Sequence, residues 1–105
     1  MIRLNILYPN TPGSRFDIDY YLATHMPMAK RLFGDALKEV TLEYGMAGVE
    51  PGSSPAYIMS CHMRFESIEA FMEVWSRVGE QLGGDIQNYT DAKPLIQFSR
   101  IVPFD

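Results

Sequence analysis

Hydrophobic and polar positions alternate with a period of two in four stretches of the chain, at residues 1–8, 37–46, 56–65 and 94–102. This period is typical of β-strands that bury one face. The stretch 56–65 shows it most clearly. One side carries Tyr57, Met59, Cys61, Met63 and Phe65, and the other carries Ala56, Ile58, Ser60, His62 and Arg64. Segments rich in proline, glycine and serine follow the first two stretches and predict loops.

A period of three to four predicts a helix between the last two strands. Its apolar stripe consists of Ile68, Phe71, Met72, Trp75, Val78 and Leu82. Ser67 is expected to cap the start of this helix, and Gly83-Gly84 to end it. The stripe assigns Trp75 to the core. Cys61 faces the same side and is expected to be a buried apolar thiol rather than a nucleophile.

Another helix is predicted between the first two strands. Asp17 is suited to cap it, so it should begin near Ile18. Pro27 lacks the N–H that would bond the carbonyl of Ala23, so the helix must end, kink or restart there. Residues 29–33 are compatible with a second helical piece that Gly34 terminates.

The predicted order is strand, helix, strand, strand, helix, strand. Right-handed crossovers then favour a ferredoxin-like α+β fold, in which a four-stranded antiparallel sheet carries two helices on one face. A chain of 105 residues fits one domain, expected to span 1–105.

Composition narrows the class of protein. Nine basic and thirteen acidic residues give a net charge of −4 without a basic stripe, which argues against a nucleic-acid partner. One cysteine excludes an internal disulfide, and two histidines are too few for a zinc site, so no metal is expected. No apolar run approaches the roughly 20 residues of a membrane span, and no signal peptide is visible. Cytoplasmic residence without membrane contact is therefore the expectation.

Three motifs resemble those of the EthD family, which is named for ethyl tert-butyl ether degradation. They are Phe-Asp-x-x-Tyr-Tyr-x-x-x-His-x-Pro at 16–27, Asp-Ile-x-Asn-Tyr-Thr at 85–90 and Pro-x-Ile-Gln at 94–97. Met28 follows the proline where the family often has leucine, a swap that keeps volume and polarity. The resemblance spans essentially the whole chain. It implies a ferredoxin-like domain that pairs into a dimeric α/β barrel.

His25 is the candidate catalytic residue. Its unperturbed pKa near 6.5 suits a general acid or base, and it shares a helix face with Tyr21 one turn earlier. The structural alternative is a histidine that bonds a free carbonyl at the helix end. We expect His25 to face a pocket, because a buried unpaired imidazole costs about 1 to 3 kcal/mol. The predicted substrate-binding residues are Asn5, Tyr20, Tyr21, Tyr44 and His62.

Two helices cover only one side of the sheet, and the other side is mixed in polarity. It is predicted to carry Asn5, Leu7, Thr41, Glu43, Ile58, Ser60, His62, Arg64, Gln97 and Ser99. Such a face is either solvated or packed against a second sheet in a homodimer, as the family resemblance implies. In the second case its side chains line an interface and a cavity together, and His62 points into that cavity.

Three functional hypotheses follow. The first is an enzyme that acts on a small, largely apolar or aromatic molecule in an oxidoreductase pathway of the ether-degradation type, with His25 as acid or base and no cofactor. The second is a non-catalytic binding or carrier protein that assists an oxygenase. The third is a lyase or isomerase of the same superfold, with haem binding as a more distant alternative.

Overall fold

The computed structural model describes residues 1–104 and contains one four-stranded sheet. Its strands are β1 (Ile2–Pro9), β2 (Glu39–Tyr44), β3 (Tyr57–Phe65) and β4 (Leu95–Arg100). They lie in the order β2-β3-β1-β4, and each neighbouring pair is antiparallel. The ferredoxin-like α+β fold predicted from the sequence is confirmed. β2 and β4 are shorter than predicted, and residues 101–104 follow β4 without regular structure.

The first helical region has three segments: α1 (Ile18–Tyr20), a π-helical turn (Tyr21–His25) and α2 (Met26–Phe33). Asp17 caps α1 as predicted, since its carboxylate accepts a hydrogen bond from the Tyr20 N–H at 3.1 Å. Of the three outcomes open at Pro27, the helix restarts, with the proline in the first turn of α2. Gly34 ends α2 with a φ of 57°, a left-handed conformation that favours glycine.

The second helix, α3, spans Ile68–Asp85 and is followed by a short 3-10 helix at Ile86–Asn88. Ser67 caps it as predicted, by accepting a hydrogen bond from the Ala70 N–H at 3.0 Å. The predicted end at Gly83-Gly84 is wrong, because neither glycine takes a positive φ and both remain helical. This extension places Asp85 in the last turn of α3.

The core lies between the sheet and the helices. Leu4 and Tyr8 of β1 and Met59, Met63 and Phe65 of β3 contribute its floor, and Cys61 is fully buried among them as expected. Burial raises the pKa of the Cys61 thiol to about 11, so the sulfur stays protonated at neutral pH.

Half of the predicted α3 stripe is buried and half is exposed. Phe71, Val78 and Leu82 are buried, whereas Ile68, Met72 and Trp75 are not. The assignment of Trp75 to the closed core is wrong, since 36% of its surface is exposed. The reason is that α3 leaves the edge strand β4 partly uncovered. Side chains of the stripe that face this uncovered strand are therefore not enclosed.

The other face of the sheet has the predicted composition. Asn5 lies opposite His62 on one side and Gln97 on the other, and Thr41 lies opposite His62. Side chains of directly paired residues point to the same face, so this register places them in one row across the sheet.

Candidate functional site

An apolar pocket of about 310 Å³ is formed by α2, α3 and the helix-side face of β1, β3 and β4. Its aromatic lining consists of Tyr8, Phe33, Phe71, Trp75 and Phe98. It opens where β4 is uncovered, since Ile96 and Phe98 are 58% and 36% exposed. His25 is the sole lining residue with an imidazole, carboxyl, ammonium or guanidinium group among the described residues. The pocket is therefore apolar, with His25 and the Tyr8 hydroxyl as its ionisable groups.

The π-helical turn determines how His25 reaches this pocket. The Met26 N–H bonds the carbonyl of Tyr21, five residues earlier, instead of an α-helical partner. This wider turn stacks the His25 ring on Tyr21, with centroids 5.6 Å apart and planes 14° apart. Pro27 has no N–H to give to the Ala23 carbonyl, which removes one α-helical hydrogen bond and disfavours a regular α-helix at this point. The local sequence thus produces an irregular turn at a candidate site.

The His25 ring is held by Asp85 from the end of α3. Nδ1 lies 2.8 Å from Oδ2 of Asp85, and both side chains are about nine-tenths buried. A carboxylate can only accept, so the neutral imidazole carries its proton on Nδ1 and leaves the lone pair on Nε2. Nε2 makes no hydrogen bond to residues 1–104, and no buried side-chain nitrogen in that range lacks a partner. Nε2 is therefore on the accessible side of the ring.

Asp85 accepts two further hydrogen bonds. The Tyr20 hydroxyl donates at 2.6 Å and the Asn88 amide at 2.9 Å, both to Oδ1. Burial acts to raise the pKa of Asp85, but the hydrogen bonds from Tyr20, Asn88 and His25 outweigh it and lower the pKa below its ordinary value. Asp85 is therefore a carboxylate at neutral pH, which maintains the tautomer of His25.

A cluster of buried aromatic rings lies behind His25. The Tyr89 ring centroid is 4.6 Å from that of His25 and 4.9 Å from that of Tyr21. The Tyr89 and Tyr8 hydroxyls are hydrogen bonded at 2.6 Å. Burial raises the pKa of Tyr8 to about 12 and raises that of Tyr21 and Tyr89 as well, so these phenols are neutral. They form a rigid, uncharged wall that orients the imidazole.

The connector after α3 is tied to the first helix. The Asp17 N–H bonds the carbonyl of Tyr89 at 2.7 Å, and the Thr90 hydroxyl donates to the carbonyl of Arg15 at 2.6 Å. These contacts bring the Asp-Ile-x-Asn-Tyr-Thr motif against the Tyr-Tyr-x-x-x-His motif. The two motifs form one structural unit.

The structure divides the predicted site residues among three places. Tyr20 and Tyr21 adjoin His25 but do not line the pocket, because Tyr20 bonds Asp85 and Tyr21 is enclosed in the core. Asn5 and His62 lie on the opposite face of the sheet, since strand positions alternate between faces. Tyr44 ends β2 and is 52% exposed, away from both groups. The sequence predicts a pocket at His25 and a cavity at His62, and the sheet separates these two residues.

Asn5 and His62 belong to a polar row on that opposite face. His62 Nδ1 lies 2.7 Å from the Asn5 carbonyl oxygen, and His62 Nε2 lies 3.3 Å from the Glu43 carboxylate. The Asn5 amide donates to the Ser99 hydroxyl at 2.9 Å. Each bond joins neighbouring strands, so the row links all four.

Asp85 is the residue of the candidate site that the sequence analysis did not single out. Asp85 is the first residue of the Asp-Ile-x-Asn-Tyr-Thr motif, but its partner His25 lies 60 residues away in the sequence. No acid and base lie close together in the sequence to indicate the pair. Trp75 was missed for the pocket because the helix period assigned it to the core.

Within residues 1–104, no group of three or more His, Cys, Asp and Glu side chains is arranged to hold a metal ion. None of the helices described is long and apolar enough to cross a membrane.

No family model and no curated protein matches the chain. Among solved structures, an EthD-like protein from Ralstonia eutropha JMP134 is 41% identical, with 97% of this chain and 92% of that chain covered and a TM-score of 0.93. An EthD family protein from Bacillus halodurans C-125 is 17% identical, with 97% and 99% covered and a TM-score of 0.74. A protein from Arabidopsis thaliana is 14% identical, with 100% and 99% covered and a TM-score of 0.71. These last two share the fold. The 41% identity over nearly the whole length shows that this chain belongs to the EthD-like family.

Proposed function

We propose that this protein binds a small, largely apolar molecule in the pocket of α2, α3 and β4, and that His25 transfers a proton to or from it. One observation carries the proposal: His25 lines an apolar pocket while Asp85 holds its Nδ1, and its Nε2 has no hydrogen-bond partner within residues 1–104. A histidine oriented by a carboxylate is a common general base, and a water-poor site strengthens its interaction with a bound acid.

The proton transfer balances without another reactant. Nε2 accepts a proton from an acidic C–H or O–H of the ligand, the bonding electron pair stays on the ligand, and Asp85 stabilises the imidazolium that forms. Return of the proton to a different ligand atom completes an isomerisation. Loss of a leaving group after proton removal is the lyase version of the same step.

An oxidoreductase pathway of the ether-degradation type is the setting that the family name suggests. The protein from Bacillus halodurans is an ethyl tert-butyl ether (EthD) family protein. We propose that in such a pathway this protein moves a proton to or from a molecule that is oxidised or has been oxidised. The oxidation itself takes its oxidant from elsewhere.

The test of His25 uses 2-tetralone, a neutral ketone with acidic C–H groups, in deuterated buffer. The wild-type protein should accelerate deuterium uptake at those carbons, as followed by proton NMR. His25→Ala should lower that acceleration by about 10² to 10⁴-fold, the usual range for a general base, while 2-tetralone still binds. Thr24→Ala, an exposed neighbour in the same turn, is the matched control and should change neither.

Two results would contradict the assignment. If His25→Ala mainly lowers thermal stability and leaves exchange unchanged, His25 is a structural residue. If the wild type binds 2-tetralone without any exchange, the competing function is supported, a carrier that holds an apolar molecule for an oxygenase. The observation that favours this carrier is that the described lining contains no second imidazole and no carboxyl group beside His25, and that the Tyr8 hydroxyl is bonded to Tyr89.

We further propose that the protein is a homodimer whose sheets pack face to face. Support comes from exposed apolar side chains outside the core: Met46, Val49 and Phe104 are 91%, 100% and 97% exposed. Single exposed side chains are common on monomers, so these three support association only together with the polar row on the open face of the sheet. The partly buried row around His62 also suits an interface that needs satisfied polar groups.

Sedimentation at micromolar concentration should therefore give twice the mass of the chain. His62→Asp leaves two carboxylates, at positions 62 and 43, without a basic partner in the polar row, and should weaken the dimer about tenfold or more, since burying unpaired charge on association is costly. Arg77→Glu, an exposed change on α3, is the control and should leave the mass unchanged. A monomer in the wild type, or a dimer that ignores His62→Asp, would contradict the proposed face.

A further inference from the structure

We infer that the pocket selects a neutral, planar aromatic molecule, and that Trp75, whose indole lies on Gly79, is the flat wall against which the ring of that molecule packs. This inference shares one element with the proposed function, namely that the ligand binds in this pocket. It does not depend on proton transfer by His25.

The aromatic rings that line the pocket are arranged in parallel and edge-on pairs. The Trp75 ring is nearly parallel to Phe71, with centroids 5.6 Å apart and planes 19° apart, and to Phe33, at 6.4 Å and 22°. Phe98 of β4 meets Phe71 edge-on at 5.4 Å and 69°. Aromatic rings prefer offset-parallel or edge-to-face contacts. The pocket lining therefore offers both parallel and perpendicular aromatic surfaces, on which a planar aromatic ligand can make the same kinds of contact.

Gly79 allows the indole to lie where it does. A Cβ atom at Gly79 would stand 2.5 Å from Cε2 and 2.7 Å from Nε1 of Trp75, closer than real Cβ contacts. The indole therefore rests directly on the backbone of α3, one turn after its own Cα. Glycine inside a helix is less favourable than alanine. Its presence at residue 79 is consistent with a steric requirement of the indole.

The lining also determines the charge of the ligand. The residues described around the pocket include no Lys, Arg, Asp or Glu. A permanent cation would lose its hydration there without gaining an opposite charge, which is costly, and an anion would meet only the His25 imidazole, whose charge when protonated is already balanced by Asp85. A volume of about 310 Å³ is at the small end of ligand pockets, so one or two fused rings fit.

Binding of four probes tests this inference by calorimetry at pH 7. They are 2-naphthol, its saturated analogue decahydro-2-naphthol, naphthalene-2-carboxylate and 1-decanol. We expect 2-naphthol to bind about tenfold or more tightly than each of the other three. Trp75 is the single tryptophan of the chain, so 5-fluorotryptophan labelling gives one ¹⁹F resonance. That resonance should shift when 2-naphthol binds.

Variants of Trp75 and Gly79 provide the second part of the test. Trp75→Leu should weaken 2-naphthol binding about threefold to tenfold, as expected for loss of an aromatic pair, and should leave decahydro-2-naphthol within about twofold. Trp75→Phe keeps a ring and should restore most of the affinity. Gly79→Ala should move the ¹⁹F resonance of the free protein and weaken 2-naphthol binding. Gly84→Ala is the matched control in the same helix, because a Cβ there meets nothing within 4 Å, and it should do neither.

Three outcomes would overturn the inference. They are equal affinity for the saturated analogue, tighter binding of the carboxylate or of 1-decanol, and 2-naphthol binding that is indifferent to Trp75→Leu in a folded variant. Binding that depends on Trp75 without deuterium exchange of 2-tetralone would leave this inference standing and contradict only the catalytic part of the proposed function.

Discussion

Replacing Tyr89 with alanine should lower the free energy of unfolding by about 4 kcal/mol, the usual cost of removing a buried aromatic side chain. Tyr89 is fully buried, and its ring contacts the rings of Tyr8, Phe16, Tyr21 and His25. Removal of this ring would leave a cavity between the first helical region and the connector that follows α3. For a chain of this length the melting temperature should fall by roughly 15 to 30 °C.

Urea unfolding of wild type and variant measures this loss. Tyr44→Ala is the control, since Tyr44 is 52% exposed, and it should cost less than about 1 kcal/mol. Tyr89→Phe keeps the ring but removes the hydroxyl that bonds Tyr8, so about 1 to 2 kcal/mol is expected. A Tyr89→Ala variant as stable as Tyr44→Ala would contradict the central position given to this ring.

Replacing Asp85 with alanine should cost about 2 to 3 kcal/mol. The change leaves the buried Nδ1–H of His25 without an acceptor and removes the bonds from Tyr20 and Asn88. A buried donor without a partner costs about 1 to 3 kcal/mol. Glu80→Ala, an exposed carboxylate on the same helix, should be nearly neutral and serves as the control.

The stability difference between wild type and Asp85→Ala should also depend on pH. The pKa of Asp85 is lower in the folded protein than its ordinary 3.8. Its ionised form therefore stabilises the fold fully above that ordinary value and loses the effect as pH falls through the lower, folded-state pKa. Urea unfolding at pH 7, 4.5 and 3 should show a difference that is similar at the first two values and smaller at the third. A difference that grows at pH 3 would contradict this account of the carboxylate.

The candidate site illustrates how far sequence reasoning reached. His25 was identified because a titratable residue stood between a capped helix start and a proline, which are signals within one segment. Asp85 carried no such signal, because its function depends on His25 from another helix. Its place in the last turn of α3 also required Gly83 and Gly84 to be helical, and glycine is permissive enough to end a helix or to continue it.

The sequence by itself determined the elements, their order, the N-terminal caps of the helices and the composition of both sheet faces, because these depend on periodicity and on residues within a few positions of one another. Only the tertiary structure decided that His25 lies on the helix side of the sheet, that Asp85 holds its ring, and that Trp75 lines a pocket instead of closing the core. The physical reason is that a helix stripe or a strand face shows which side chains avoid water but not how completely the opposing layer covers them. The uncovered edge at β4, where Ile96 and Phe98 stay exposed, arises from the packing of α3 across the sheet, and no local pattern encodes it.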